Sequence, residues 1–313
     1  MKAVRCAHGK VHLVDVERPK GEGVRVKVAS VGICGSDLHL LTAGFPLEAT
    51  LGHEIAGVTE NGTPVAVEPI APCGHCAYCA RGEYNLCTLG SFATTFGVGR
   101  DGGMAEELIV PERCLVPLPA GVSTADACLV EPLAVAIHGI INAGIRAGQR
   151  VAVIGGGSIG QCAVAAVKDI AGAVWLNARH DAQKAAGERL GATLGTEGSY
   201  DIVIDCAGTT AALAEAVALC RPGATLLLLA TYWEGLSLPP FEITTKELRI
   251  LSSASYARHG MVRDVDVAVA LMARNPAIAE AVITHRLPLD SAVEAFAVAA
   301  DRAHGAIKVA LEP

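Results

Sequence analysis

The sequence predicts an α/β protein with two domains, one rich in β-strands and one built on a doubly wound parallel sheet. Apolar and polar residues alternate over residues 11–14 and 24–28, and this period of two indicates half-buried strands. From residue 151 onward, short apolar runs alternate with helical segments, a pattern typical of a parallel sheet covered on both faces. A chain of 313 residues is also long for one domain and sufficient for two.

The first domain is expected over residues 1–132. Glycines end the second alternating run around Cys34, a strand-like run follows Gly52-His53-Glu54, and another leads into a group of cysteines. We expect this group to form a metal-binding lobe over residues 73–87, and residues 255–313 to return to the same domain.

The lobe contains four cysteines with two, two and seven residues between them: Cys73, Cys76, Cys79 and Cys87. Loops of two intervening residues let neighbouring thiolates reach one zinc ion at about 2.3 Å. A disulfide cluster is the alternative, but it would require an exported chain, and the opening Met-Lys-Ala-Val-Arg-Cys has no apolar signal region. Four cysteine ligands leave no open position, so we predict a structural zinc that takes no part in chemistry.

The second domain is expected over residues 133–254. It begins with an apolar helix at 133–145, and a strand at 151–154 leads into Gly155-Gly-Gly157-Ser158-Ile159-Gly160 and an Ala-rich helix. Short strands are predicted at 174–176, 202–204 and 226–229, separated by helical segments such as 181–190 and 211–220. A Gly-x-Gly-x-x-Gly motif between a strand and a helix lets the backbone approach a pyrophosphate, whose charge the helix N-terminus stabilises. The motif therefore predicts a dinucleotide site.

Composition excludes several other classes of function. Mean hydropathy is +0.41, yet the longest uncharged run, residues 151–167, has four glycines and is shorter than the roughly 18–20 residues of a membrane span. A net charge of −7 without a basic block gives no reason to expect a nucleic-acid partner. Eleven cysteines suit a reducing compartment, so we expect a cytoplasmic protein without a membrane partner.

Cys34, His53 and Glu131 lie far apart in the sequence, and each alone is ordinary. Five motifs give them another meaning: Gly32-Ile-Cys34-Gly-Ser36-Asp-Leu-His39, Gly52-His53-Glu54, the four-cysteine lobe, Glu131-Pro-Leu and the glycine motif. In this order, the motifs resemble those of zinc-containing medium-chain alcohol dehydrogenases over nearly the whole chain. The Glu-Pro-Leu resembles the branch of sorbitol and other polyol or secondary-alcohol dehydrogenases. The resemblance implies a GroES-like catalytic domain and a Rossmann nucleotide-binding domain.

The resemblance also implies a catalytic zinc, and so two zinc ions per chain. Cys34 and His53 would bind the catalytic ion, and either Glu54 or Glu131 would supply a carboxylate, directly or through the bound water. The zinc would act as a Lewis acid on the alcohol while hydride passes from the carbinol carbon to the nicotinamide. Ser36 matches the hydroxyl that contacts the substrate oxygen, and His39 resembles the relay residue that passes the proton onward.

The choice between NAD and NADP depends on the end of the second strand of the nucleotide domain. An acidic residue about 20 positions after the glycine motif would bind the ribose hydroxyls of NAD, but Ala178 occupies that position. The next residue, Arg179, can pair with a 2′-phosphate, although a solvated arginine at a helix start is the alternative. We therefore predict a preference for NADP(H).

Other cofactor contacts are expected where later strands end. Cys206-Ala207-Gly208 resembles the loop beside the nicotinamide ribose, and Ala230, Thr231 and Ser255 follow strands that end on the same side of the sheet. A catalytic role for Cys206 is less favoured than a small side chain in the core.

The expected substrate is a small alcohol or its ketone. Sorbitol dehydrogenases tend to carry a tyrosine after the relay histidine and an arginine before the tyrosine of the last strand, where this chain has Leu40 and Ser255. Fewer hydroxyl-binding groups favour a secondary or cyclic alcohol, with Phe92 and Phe96 as apolar wall.

Three alternatives remain open at this point. One is an NAD-dependent polyol or amino-alcohol dehydrogenase of the sorbitol or threonine type. Another is an inactive, zinc-held binding module, and the third is a metal-free enoyl or quinone reductase, a class that lacks the cysteine lobe. The family habit also implies a homodimer or homotetramer formed through an edge strand.

Overall fold

The computed structural model describes residues 1–44, 48–233 and 235–313. Contacts divide the chain into two compact units. The first comprises Met1–Glu131, Ala257–Ala279 and Ile283–Pro313, and the second comprises Pro132–Tyr256 and Glu280–Val282. Within the described ranges, none of the helices has the length and apolar character needed to cross a membrane.

Seventeen strands are present in these ranges. In chain order they are β1 (Lys2–Ala7), β2 (Lys10–Asp15), β3 (Val24–Gly32), β4 (Glu54–Thr59), β5 (Pro64–Val67), β6 (Glu107–Val110), β7 (Leu115–Pro117), β8 (Val151–Ile154), β9 (Val174–Asn177), β10 (Thr193–Leu194), β11 (Tyr200–Asp205), β12 (Cys220–Leu228), β13 (Arg249–Ser252), β14 (Arg258–His259), β15 (Val262–Arg263), β16 (Ile283–Pro288) and β17 (Lys308–Glu312).

The described residues also form eleven α-helices. They are α1 (Gly35–Thr42), α2 (Ala77–Arg81), α3 (Ser91–Thr94), α4 (Val130–Ala143), α5 (Ser158–Ala171), α6 (Asp181–Arg189), α7 (Thr210–Leu219), α8 (Pro240–Thr245), α9 (Asp264–Arg274), α10 (Ala277–Val282) and α11 (Ala292–Ala300). Short 3-10 turns lie at Tyr84–Leu86, Glu112–Cys114, Ala127–Leu129, Leu289–Ser291 and Arg302–His304.

The first unit is built on a sheet with the order β16-β17-β3-β4-β5-β7, to which β6 adds by pairing with β3. Val26 and Val28 on β3 are buried while Lys27 between them is exposed, as the alternating sequence predicts. The antiparallel pairing of β3 with β4 sets Gly32 opposite Glu54. This register brings the end of β3 beside the start of β4, where the metal-binding candidates lie.

The second unit contains a six-stranded parallel sheet with the order β10-β9-β8-β11-β12-β13. β8 is buried along its whole length, as expected of a central strand covered on both faces. The chain leaves β8 in one direction for β9 and β10, then crosses to the other side of β8 to form β11. The fold class is therefore the predicted doubly wound one, and its switch point, where such sheets bind ligands, lies between β8 and β11.

Two features of this sheet differ from the sequence-based expectation. β12 begins at Cys220 rather than near residue 226, because Tyr200 pairs with Cys220 before an irregularity that takes up Pro222 and Gly223. The sequence-based expectation also lacks β10, which residues 195–199 connect to β11 without a helix.

Arg150 holds this short crossover in place. Its guanidinium stacks over Trp175 and Tyr200, with its carbon 4.4 and 5.0 Å from the ring centroids. It also donates hydrogen bonds to the carbonyls of Ser199 and Glu197 at 3.2 and 3.3 Å. The arginine thus covers, with cation–π contacts, aromatic surface that a crossover helix would otherwise bury.

Candidate metal and cofactor sites

Cys34 lies at the N-cap of α1, directly after β3. Its backbone N–H donates to the Asp37 carboxylate at 2.9 Å, which fixes the first turn of the helix. The cysteine sulfur is therefore held near a helix N-terminus, where the unpaired N–H groups favour a negatively charged ligand.

His53 lies at the other side of the β3–β4 pair, just before β4. Gly52 precedes it with φ +92°, and a Cβ there would lie 2.6 Å from Met104, so only glycine fits this turn. His53 is 8% exposed, and its Nδ1 is buried with no hydrogen-bond partner among the described residues. The nearest carboxylate oxygen, Oδ1 of Asp37, is 3.6 Å away. An unsatisfied buried imidazole nitrogen beside a thiol is a suitable metal ligand.

The charges around His53 are also consistent with a cation-binding site. Burial alone would lower the pKa of His53, but Asp37, Cys34 and Glu131 together raise that pKa well above its usual value. Burial raises the pKa of Asp37, and the neighbouring His53 opposes the shift. The pocket therefore favours positive charge at the histidine, and a metal cation binding there must displace a proton.

Glu54 is fully buried and paired with Lys308, whose Nζ lies 2.5 and 2.6 Å from its two carboxylate oxygens. The same Nζ donates to the Ile33 carbonyl at 3.0 Å. Burial opposes the charge of Lys308, but Glu54 and Cys34 raise its pKa above the ordinary value, so the lysine stays charged. A Cβ on Gly32 would lie 1.9 Å from the Glu54 carboxylate, so glycine is required opposite it.

The structure brings Cys34, His53 and Glu54 together. One ligand atom of each lies within 4.8 Å of the others. Glu131, in the first turn of α4, is half-buried and is not part of this group, although its charge acts on His53. A thiol, an imidazole and a carboxylate form a donor set that fits a three-ligand zinc site.

Ser36 and His39 both lie on α1, three residues apart and so on one face of the helix. Ser36 is half-buried, and His39 is exposed. Their order along the helix runs from the interior towards solvent.

The four cysteines of the lobe also converge, with all four sulfurs within 4.8 Å of one another. The sulfurs of Cys73 and Cys79 are 3.8 Å apart, and those of Cys76 and Cys79 are 3.4 Å apart. Ligands at about 2.3 Å from a tetrahedral zinc lie about 3.8 Å from each other, whereas disulfide sulfurs are bonded at about 2.05 Å. Backbone N–H groups of Cys79 and Thr88 lower the pKa of the Cys76 thiol to about 5, whereas burial raises the pKa of the Cys79 thiol, so the loop favours a thiolate at Cys76.

In the second unit, the glycine motif joins β8 to α5. A Cβ on Gly160 would lie 1.8 Å from the Gly155 carbonyl, and one on Gly155 would lie 2.9 Å from the Ala207 nitrogen. A Cβ on Gly157, the N-cap of α5, would meet nothing within 4 Å, so this side of the turn is open. The next residue, Ser158, has a buried Oγ with no hydrogen-bond partner among the described residues. An open backbone and an unsatisfied hydroxyl at a helix N-terminus fit a phosphate group. Ile159, next along the first turn of α5, is half-buried.

At the end of β9, Ala178 is buried against the glycine turn, since a Cβ on Gly156 would lie 2.6 Å from its Cβ. Arg179 is exposed. One carboxylate does lie near this strand end, because the amide of Asn177 donates a hydrogen bond to Glu215 of α7. No pattern in the sequence indicates this pair, since 38 residues separate its members.

The loops after β11 and β12 contact each other. A Cβ on Gly208 would lie 3.0 Å from the Ala230 Cβ and 3.1 Å from the Thr231 carbonyl oxygen. Burial and the charge of Asp205 raise the pKa of the Cys206 thiol well above its usual value, which is unfavourable for a nucleophile. Ser255, after β13, has φ +58°, an uncommon backbone conformation for a residue with a side chain.

Several supporting residues were not predicted from the sequence. Lys308 looked like one more residue of a strand, and Asp205 like the end of another. Gln161 is fully buried and donates to the carbonyls of Gly156 and Gln183 at 3.0 and 2.8 Å, which ties the glycine turn to α6. A charged or amide residue inside an apolar run is the only signal that could have identified them.

Known proteins resemble this chain in sequence. Residues 20–120 match the model of the alcohol dehydrogenase GroES-like domain, and residues 158–274 match that of the zinc-binding dehydrogenase family. D-xylulose reductase A of Aspergillus oryzae is 31% identical over 87% of this chain and 85% of that protein.

Two solved structures are similar over the whole chain. A zinc-binding dehydrogenase from Sinorhizobium meliloti 1021 bound to NADP is 31% identical, with a TM-score of 0.86 over 100% of this chain and 99% of that one. An alcohol dehydrogenase from Escherichia coli CFT073 complexed with NADH is 27% identical, with a TM-score of 0.88 over the same shares.

Proposed function

This chain belongs to the zinc-type medium-chain alcohol and polyol dehydrogenases, oxidoreductases that act on CH–OH groups, and from that premise we propose that it interconverts a secondary alcohol and its ketone with NADP(H). The observation that carries the proposal is the convergence of Cys34, His53 and Glu54, within 4.8 Å, in a pocket that favours positive charge.

Cys34, His53 and Glu54 would hold the catalytic zinc. Lys308 neutralises Glu54 from behind, and because a carboxylate has about four lone-pair positions, the glutamate can bind a lysine and a metal at once. Glu131, half-buried and outside the group, would act through the bound water. When bound, zinc would supply Lewis-acid activation of the alcohol oxygen, and the nicotinamide would take up hydride.

A second zinc, held by the lobe, would be structural. The sulfur spacing of 3.4–3.8 Å supports this proposal, and four thiolates leave no position for substrate.

The proton of the alcohol would leave through α1. Ser36 would accept a hydrogen bond from the substrate hydroxyl, and the exposed His39 would pass the proton to solvent. Asp37 would keep Cys34 and His53 oriented, since it caps the helix of the first and lies 3.6 Å from the second.

NADP(H) is favoured over NAD(H) by the end of β9. Ala178 places no carboxylate at the position that binds both ribose hydroxyls of NAD. Arg179 is exposed, so a 2′-phosphate can reach its guanidinium. Glu215 opposes a 2′-phosphate by its charge, but its carboxylate already accepts a hydrogen bond from the amide of Asn177. The bound cofactor of the Sinorhizobium meliloti structure agrees with this preference, whereas that of the Escherichia coli structure is NADH.

A homodimer or homotetramer is proposed on the basis of β13. This strand pairs with β12 on one side, and no strand within the described ranges pairs with its other side. Ile250 on β13 is 38% exposed, and Phe241 on the preceding helix is 76% exposed. An open edge beside apolar side chains is suited to a second copy of the chain.

A substrate panel tests the proposal. Zinc-loaded protein is assayed at 340 nm with 2-alkanols, cyclohexanol and sorbitol, each with NADP and with NAD. We expect the highest kcat/KM with NADP and a secondary or cyclic alcohol. Turnover of polyols alone would contradict the proposed substrate class, a clear NAD preference would contradict the cofactor, and no turnover at all would favour a binding module.

A further inference from the structure

Asp205, the last residue of β11, joins the two loops that follow β11 and β12. Its backbone carbonyl accepts hydrogen bonds from the Leu229 and Ala230 nitrogens at 3.0 and 3.1 Å. Its carboxylate accepts one from the Ala207 nitrogen at 2.9 Å and one from the Tyr232 hydroxyl at 2.5 Å. One side chain is therefore bonded to both loops.

The Asp205 carboxylate lies in an environment that is unfavourable for a charge. Asp205 is fully buried, and no cation contacts it among the described residues. Burying a carboxylate without a cation is unfavourable, so a residue that only ended a strand would not need to be charged. The cost is offset by charge-assisted hydrogen bonds, and the Tyr232 hydroxyl is the only side-chain donor among those observed.

The loops have little freedom to move independently. The close approach of Gly155 to Ala207, and of Gly208 to Ala230, leaves no room for a methyl group without displacing neighbours. The Cys206 nitrogen also donates to the Ile154 carbonyl at 2.8 Å. A shift of the Tyr232 loop would therefore displace the loop at Cys206, which lies at the switch point of the sheet.

We propose that Asp205 and Tyr232 are a positioning pair that fixes the loops around the nicotinamide half of the cofactor, and not around its adenosine half. The proposal rests on the proposed function, because it takes the cofactor to be a nicotinamide dinucleotide. Neither residue touches the reacting atoms. The adenosine half depends on a different set of groups, namely the glycine turn and the end of β9.

The test compares the whole cofactor with its adenosine fragment. Dissociation constants of NADPH and of 2′,5′-ADP are measured for the zinc-loaded wild type, Tyr232→Phe and Asp205→Asn. Tyr232→Phe removes one hydrogen bond to a charged group, which corresponds to about tenfold weaker binding of NADPH. We expect 2′,5′-ADP to bind as in the wild type, and KM for the alcohol to be unchanged.

Tyr200→Phe is the matched control. Tyr200 is a fully buried tyrosine at the amino end of β11, the opposite end from Asp205, and its hydroxyl accepts a hydrogen bond from the Glu197 nitrogen at 3.2 Å. It should leave both dissociation constants unchanged. If Asp205→Asn does not fold, Tyr232→Phe alone decides the question.

Two results would overturn the proposal: unchanged NADPH binding in Tyr232→Phe, or equal weakening of NADPH and 2′,5′-ADP. The same comparison with NADH and 5′-AMP separates the two proposals. A preference for NAD(H) would contradict the proposed cofactor but still give the ratio of whole cofactor to fragment on which the positioning pair depends.

Discussion

Replacing Lys308 with methionine should destabilise the protein strongly, because it leaves Glu54 as a buried charge without a partner. The two side chains are 2% and 0% exposed, and both carboxylate oxygens lie within 2.6 Å of the lysine nitrogen. Removing one partner of such a pair costs about 3–5 kcal/mol. This is a large share of the roughly 5–15 kcal/mol that stabilises a typical domain.

The assay is urea unfolding of zinc-free wild type, Lys308→Met, Glu54→Gln and the double variant, so that no metal ion takes the place of the lysine beside Glu54. We expect the double variant to be more stable than Lys308→Met, since the unpaired charge is gone. Lys2→Met is the matched control, because Lys2 pairs with Asp290 at the same 2.5 Å, but both side chains are about half exposed. The loss of stability in Lys2→Met should be too small to resolve, since solvent screens an exposed ion pair. A small effect of Lys308→Met, or strict additivity in the double variant, would refute the reasoning.

Three further predictions concern other parts of the molecule. Cys76→Ser should lower the zinc content by one ion per chain and lower the melting temperature. The control Cys114→Ser, at a buried cysteine outside the lobe, should keep both zinc ions in metal analysis. Retention of the lobe zinc by Cys76→Ser would contradict the assignment of the lobe as a zinc site. Arg179→Ala should lower kcat/KM for NADPH about tenfold and leave kcat/KM for NADH unchanged. Arg189→Ala, at another exposed arginine, is the control and should change neither value. Equal losses for both cofactors would show that Arg179 does not recognise the 2′-phosphate. The Arg150 backbone N–H and the Arg221 guanidinium lower the pKa of Asp201, so the ionised carboxylate contributes about 1 kcal/mol to the free energy of unfolding. This contribution is fully present above the pKa of the unfolded state and is lost as the pH falls through the lower pKa of the folded state, so in thermal unfolding the stability difference between Asp201→Asn and the wild type should narrow below about pH 4. A stability difference that does not change with pH would contradict this.

Local patterns in the sequence were sufficient for some features of the structure. The four cysteines lie within fifteen residues, and the glycine motif lies between a strand and a helix, so spacing alone indicates what each can bind. The parallel sheet was also predictable, because buried strands are short apolar runs between helices.

Long-range pairs could not be predicted in the same way. Lys308 and Glu54 are 254 residues apart, and only the pairing of β17 with β3 and of β3 with β4 brings them together. The resemblance to a known family suggested Cys34 and His53, but it left open the choice between Glu54 and Glu131, which depends on side-chain positions. The strand β10 was missed because its two residues are too few to show the alternating pattern of a strand.

The central claim is that Cys34 holds a second, catalytic zinc, and metal analysis of Cys34→Ser combined with a turnover assay tests it most directly. We predict two zinc ions per chain in the wild type, one in the variant, and loss of turnover with the lobe zinc retained. A variant that keeps the wild-type zinc content and turns over alcohol at the wild-type rate would contradict the account.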